Sequence, residues 1–106
     1  MAVKLLDAAT TTGASPRWKA YKASYHTIQA DVTGSPTAVT IDLEGSLNDG
    51  TYFTLATHPF TSAELTAASA MFHVESKYVE YVKVNVTNLQ GGTSPTVTVR
   101  YYNGDN

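Results

Sequence analysis

The sequence predicts an all-β fold: a two-sheet sandwich of jelly-roll type with seven to eight strands. Three observations predict it. The chain holds 16 Thr, 10 Val and 7 Tyr against 7 Leu and 2 Met, and β-branched and aromatic residues suit a pleated sheet better than a helix. In Ala38 to Ser46, Val39, Ile41 and Leu43 alternate with Thr40, Asp42 and Glu44, the period of a strand with one face in the core. Asp49-Gly50 then offers two residues tolerant of positive φ, a hairpin signal before the next apolar alternation.

The elements follow in order. Val3, Leu5 and Leu6 open a short apolar segment, and Ala8 to Pro16 has no hydrophobic period, so residues 1–16 read as an extended N-terminal arm ahead of a sandwich domain at 17–106. Arg17 to Tyr25 reads as an edge strand, because Arg17, Lys19 and Lys22 resemble the charges that protect sheet edges. His26, Ile28, Ala30 and Val32 alternate with Thr27, Gln29 and Asp31, and Gly34-Ser35-Pro36 ends that strand. After the Asp49-Gly50 turn, Thr51 to Thr57 returns with Phe53 and Leu55 inward.

Pro59 interrupts the ladder, and residues 61–71 read as a loop with at most one turn near Ala63 to Leu65, in which Ser62 would cap. Ala70, Phe72 and Val74 form the next strand, with His73 outward. Tyr78 to Val86 reads as a long strand whose broken parity calls for a bulge near Glu80. A loop from Asn88 to Pro95 precedes a final strand in which Val97, Val99 and Tyr101 oppose Thr98, Arg100 and Tyr102. The expected core is Ile28, Val39, Ile41, Leu43, Phe53, Leu55, Phe72, Val82, Val84, Val97 and Val99.

Composition narrows the function. One hundred and six residues make one domain, and 7 basic against 9 acidic residues give no electrostatic reason to expect nucleic acid or an anionic membrane. There is no cysteine, hence no disulfide, thiol nucleophile or cysteine zinc cluster. Neither a signal peptide nor a membrane span is expected. His26, His58 and His73 lack metal-ligand spacing, and neither a Gly-x-Ser-x-Gly elbow nor a phosphate-cradling glycine loop occurs. Asp42, Glu44 and Asp49 form the best acidic cluster, but outward carboxylates on a strand are in the wrong environment for glycoside hydrolysis and read as a solvated face. No enzyme activity, cofactor or metal is therefore expected. Trp18, Tyr21, Tyr25, Tyr52 and Tyr102 are the candidate contacts for a protein partner or a glycan, since such recognition favours exposed aromatic rings.

Leu5 to Ala14 (LLDAATTTGA), Thr40 to Leu55 (TIDLEGSLNDGTYFTL) and Tyr78 to Gly92 (YVEYVKVNVTNLQGG), followed by PTVTVRYY, resemble small structural proteins of bacteriophages and prophages. That resemblance implies a virion component assembled in the cytoplasm of a bacterial host. The expected role is a decoration or cement protein that binds and stabilises the major capsid protein lattice, with a tail or fibre accessory as the alternative. It also implies homo-oligomers, with trimers frequent among decoration proteins. The YVEYVKVNV segment is similar to a late strand of discoidin-like and galactose-binding-like jelly rolls, which implies a carbohydrate-binding module as the competing function. No ligand motif of those families can be placed residue by residue on this chain.

Overall fold

The structure is a computed structural model that describes residues 3–20 and 24–104. It is an all-β sandwich with jelly-roll-like architecture, built from two antiparallel sheets of four and five strands. Among the described residues the nine strands are β1 (Val3–Ala9), β2 (Gly13–Ala14), β3 (Trp18–Lys19), β4 (Tyr25–Thr33), β5 (Ala38–Ser46), β6 (Phe53–Pro59), β7 (Ser69–Val74), β8 (Tyr81–Gln90) and β9 (Thr96–Gly104), with one helix, α1 (Ser62–Ala67). The first sheet runs β1-β9-β4-β7; the second runs β2-β8-β5-β6, with β3 also paired to β8. Apart from the β5–β6 hairpin, neighbours in a sheet come from distant parts of the chain.

Alternation fills the core as expected. Ile28, Ala30 and Val32 from β4, Val39, Ile41 and Leu43 from β5, Val82, Val84 and Val86 from β8, and Val97, Val99 and Tyr101 from β9 are buried. Leu55 and Phe72 are partly buried and pack against this layer. Phe53 is the exception: expected in the core, it is 66% exposed. A bulge in the hairpin, where Leu43 pairs with Ala56 but Glu44 pairs with Thr54, makes Leu55 the extra residue and leaves Phe53 on the core parity, opposite Gly45. Its exposure follows from its place as the first residue of β6, at the end of the sandwich.

The N-terminal segment read as an arm is extended, but paired. Val3–Ala9 is hydrogen-bonded along β9 with Leu5 buried, and Gly13–Ala14 lies along β8. Register shifts after Lys4 and after Leu6 break the period of two, so Leu5 and Leu6 stand adjacent and the strand is hard to see in sequence. Between β2 and β3 the ladder to β8 continues through Ser15, whose N–H donates to the Val84 carbonyl at 2.7 Å and whose Oγ accepts the Val84 N–H at 3.0 Å. Trp18–Lys19 is an edge strand as expected, while Tyr21 and Lys22 lie outside the described residues.

Two further readings are corrected. Residues 62–67 form a helix rather than a loop, and its cap is Thr61 instead of Ser62. Thr61 Oγ1 accepts the Glu64 N–H at 3.2 Å while Glu64 Oε1 accepts the Thr61 N–H at 2.9 Å, a reciprocal capping box. The strand expected from Tyr78 starts at Tyr81, and no bulge is needed at Glu80. Glu80 instead bridges, donating its N–H to the Ser46 carbonyl at 3.0 Å and accepting the Ala20 N–H at 2.7 Å.

One polar pair lies inside the fold. His26 is 1% exposed, and its Nε2 lies 2.8 Å from the Lys77 carbonyl while its Nδ1 lies 2.6 Å from the Tyr101 hydroxyl. The carbonyl can only accept, so Nε2 carries the proton and Nδ1 accepts from Tyr101. Burial lowers the His26 pKa below its ordinary 6.5, with the Lys77 carbonyl opposing in part.

Two measurements check this account. Leu43→Ala, at a fully buried site, is expected to cost about 2–4 kcal/mol in urea unfolding. The unfolded chain takes up a proton at His26 below about 6.5 while the folded chain resists until its lower pKa. Stability is therefore intact above that pH, falls as pH drops through the window between the two values, and then levels. Urea midpoints measured from neutral pH downward should show this slope, and His26→Phe with Tyr101→Phe should remove it.

Candidate functional site

The outer face of the four-stranded sheet carries the most open chemistry. Register places Tyr102, Thr27 and His73 in one row across β9, β4 and β7, Arg100, Gln29 and Met71 in the next, and Thr98, Asp31 and Ser69 in a third. Tyr25 shares the face of Thr27 two residues on, so it sits diagonally beside Tyr102, a spacing that long aromatic side chains bridge. Tyr25 is 40% and Tyr102 48% exposed. Asp31 organises the polar groups: its carboxylate accepts Arg100 Nη1 at 3.0 Å, Ser69 Oγ at 2.8 Å and Gln29 Nε2 at 3.3 Å. Thr27 Oγ1 and His73 Nδ1 lie 3.0 Å apart. A hollow of about 130 Å³ between Gln29, Met71, Arg100 and Tyr102 adjoins one of about 300 Å³ between Tyr25, His73 and Glu75.

The outer face of the five-stranded sheet is closed by its own interactions. Lys83 Nζ lies 3.8 Å from Glu44 and 4.3 Å from the centre of the Tyr52 ring, and Asn85 donates to Glu44 at 3.3 Å. Arg17 pairs with Asp49 at 2.7 Å and lies over the Tyr81 ring. The Tyr52 hydroxyl donates to Asp49, and its pKa is pushed up to about 12 by desolvation and by that carboxylate. Glu44 and Asp49 of the expected acidic cluster are thus spent on neighbours. Asp42 Oδ1 is the buried side-chain oxygen without a hydrogen-bond partner among the described residues.

The five candidate aromatics therefore separate. Tyr25 and Tyr102 fall in successive rows of one face, Tyr52 belongs to the network on the opposite sheet, and Tyr21 lies outside the described residues. Trp18, 42% exposed, pairs with Val82 and so stands on the core side of the β3 edge, away from both faces. Sequence reasoning missed Arg100, Gln29 and Asp31 as a set. Their shared parity on β4 and β9 was visible; that β4 and β9 are neighbours was not. It also missed an apolar groove at one end of the sandwich, around Leu47, Phe53 and Tyr78.

The described residues hold no group of three His, Asp or Glu side chains that could bind a metal ion. His26 is committed to Tyr101 and a carbonyl, His58 to Glu64 and His73 to Thr27, so none pairs a base with a serine nucleophile.

No family model and no curated protein matches the sequence. Among solved structures, the chain is similar to the SPBc2 prophage-derived protein YomS, with 15% identity, 95% of this chain and 88% of that one covered, and a TM-score of 0.62. It is similar to the PBSX exported protein XepA at 11% identity and TM-score 0.65, covering 97% of this chain and 37% of that one. It is also similar to CBM32-3 from a family 31 glycoside hydrolase of Clostridium perfringens, at 11% identity and TM-score 0.55, with 98% and 88% covered. Identities this low establish the fold. The chain is a small β-sandwich domain structurally related both to phage proteins and to carbohydrate-binding modules.

The contrast between the two sheet faces can be measured. Tyr52 should ionise near pH 12 in a nuclear magnetic resonance titration, and Asp49→Asn should lower that value only in part, since it removes the carboxylate opposing phenolate formation but leaves the larger desolvation in place.

Proposed function

We propose that this protein is a non-catalytic carbohydrate-binding module whose contact surface is the outer face of the four-stranded sheet. The observation that carries the reading is the open Tyr25–Tyr102 pair beside Arg100, Gln29 and His73. A pyranose ring presents a C–H face that packs on a tyrosine ring, and its hydroxyls pair with planar amide, guanidinium and imidazole groups. Asp31 holds Arg100 and Gln29 by hydrogen bonds, so less side-chain freedom is lost on binding. The shallow, open form of the two hollows suits an internal stretch of a polysaccharide better than a chain end. Similarity in fold to carbohydrate-binding modules such as CBM32-3 supports the same reading.

A second reading rests on the similarity to two prophage proteins and on a content of only 15% charged residues, which leaves less charge to desolvate under a neighbouring subunit. It is a virion structural protein, a decoration protein on the major capsid protein or a tail or fibre accessory. Quantitative mass spectrometry of washed particles tests it: high copy number supports it, and absence from the particles overturns it.

For the glycan reading, a broad array of bacterial surface polysaccharides should give at least one ligand, followed by calorimetric titration. Tyr102→Ala and Tyr25→Ala should each weaken binding about ten-fold, the equivalent of ~1.4 kcal/mol, while Trp18→Ala leaves it unchanged. Silence across the array, or affinity indifferent to both tyrosines, would overturn the assignment.

A further inference from the structure

Leu47, Phe53 and Tyr78 are 71%, 66% and 71% exposed and ring one end of the sandwich, around a groove of about 390 Å³ floored by Leu55 and Val79. We propose that this end is a homodimer interface, in which the same end of a second copy covers the groove across a two-fold axis. The proposal goes beyond the glycan reading and does not depend on it.

The groove is built rather than left over. Ser46 Oγ accepts the N–H groups of Asn48 at 3.2 Å and Asp49 at 3.0 Å, and donates to Asn48 Oδ1 at 3.0 Å. Asn48 Oδ1 in turn accepts the N–H groups of Gly50 at 2.8 Å and Thr51 at 3.1 Å. Asp49 takes a φ of 63° and is anchored by Arg17. This network fixes the backbone around Leu47 at the loop tip, outward and away from the core. On the floor, a Cβ at Gly45 would come within 2.8 Å of both Leu55 and Val79, so those two side chains close over a residue that has none.

Charge and area both point to a second copy. Among the described residues no Asp, Glu, Lys or Arg lines the groove, so the surface they form faces its own image without like-charge repulsion and without desolvating an ion. Leu47, Phe53 and Tyr78 are each about two thirds exposed, so together they offer on the order of 400 Å², roughly half of the ~800 Å² per partner that a stable interface needs. The remainder lies alongside. Among the described residues β6 is the outer strand of its sheet, and none of them pairs with the free side of Phe53–Thr57 next to the groove. Beyond it His58 is tied to Glu64 of α1 and Pro59 has no N–H to offer. Two such stretches can pair antiparallel only about a two-fold axis, which makes the contact isologous.

Sedimentation velocity on the full chain, from nanomolar to high micromolar concentration, tests the proposal. A concentration-dependent dimer is expected. Leu47→Asp and Phe53→Asp should each raise its dissociation constant at least ~30-fold, the effect of a central interface side chain. Both side chains are exposed, so circular dichroism and thermal midpoint should stay near the parent values; Tyr78→Ser serves as a third variant if Phe53→Asp unfolds. A monomer at every concentration overturns the proposal. So does a dimer indifferent to Leu47→Asp, which places the contact elsewhere, and so does a trimer or larger ring, which is not two-fold.

Discussion

Burial of every second residue along β4, β5, β8 and β9 is the constraint from which the rest of the molecule follows. These four strands form the centre of each sheet, β9 with β4 and β5 with β8. Their inward residues are nearly all Val, Ile, Leu or Ala, with exposures from 0% to 4% for those in the strand centres. With one parity sealed inside, the other is presented outward in rows whose membership register decides. Tyr102, Thr27 and His73 share a row for that reason alone. A slip of one residue would carry the whole set into the core.

The edges have a different logic. β1, β2 and β3 add few buried side chains and are held mainly by backbone pairing to β9 and β8. Where the chain crosses between sheets, backbone meets backbone closely enough to demand glycine. A Cβ at Gly92, whose φ is +71°, would sit 2.2 Å from the Gly34 carbonyl, and that carbonyl accepts the Thr93 N–H at 2.8 Å. The β4–β5 and β8–β9 connections are thereby locked together, which holds the two central pairs at a set separation.

The two faces diverge because of what their charged residues meet. On the five-stranded sheet Glu44, Lys83, Asp49 and Arg17 find opposite charges, and Tyr52 and Tyr81 lie against the cations. On the four-stranded sheet Asp31 satisfies one edge of Arg100 and of Gln29, while Tyr25 and Tyr102 stay open to solvent. A binding face needs groups that are positioned but not exhausted, and only the second arrangement offers that.

Local pattern was enough for the class of fold, the β5–β6 hairpin and eight of the core positions, including Ile41, Leu43, Val84 and Val99, because period-two alternation is written in consecutive residues. It also located the cysteine-free, weakly charged character that excludes much chemistry. Tertiary structure decided what alternation cannot encode. The place where β6 begins left Phe53, opposite Gly45, at an exposed apolar end of the sandwich, and the pairing of Val3–Ala9 with β9 made an aperiodic segment a strand. Most decisively, neighbours in these sheets are remote in sequence, as β9 is from β4. Which outward residues meet is set by how the two sheets close around a shared core, and no stretch of sequence holds that information alone.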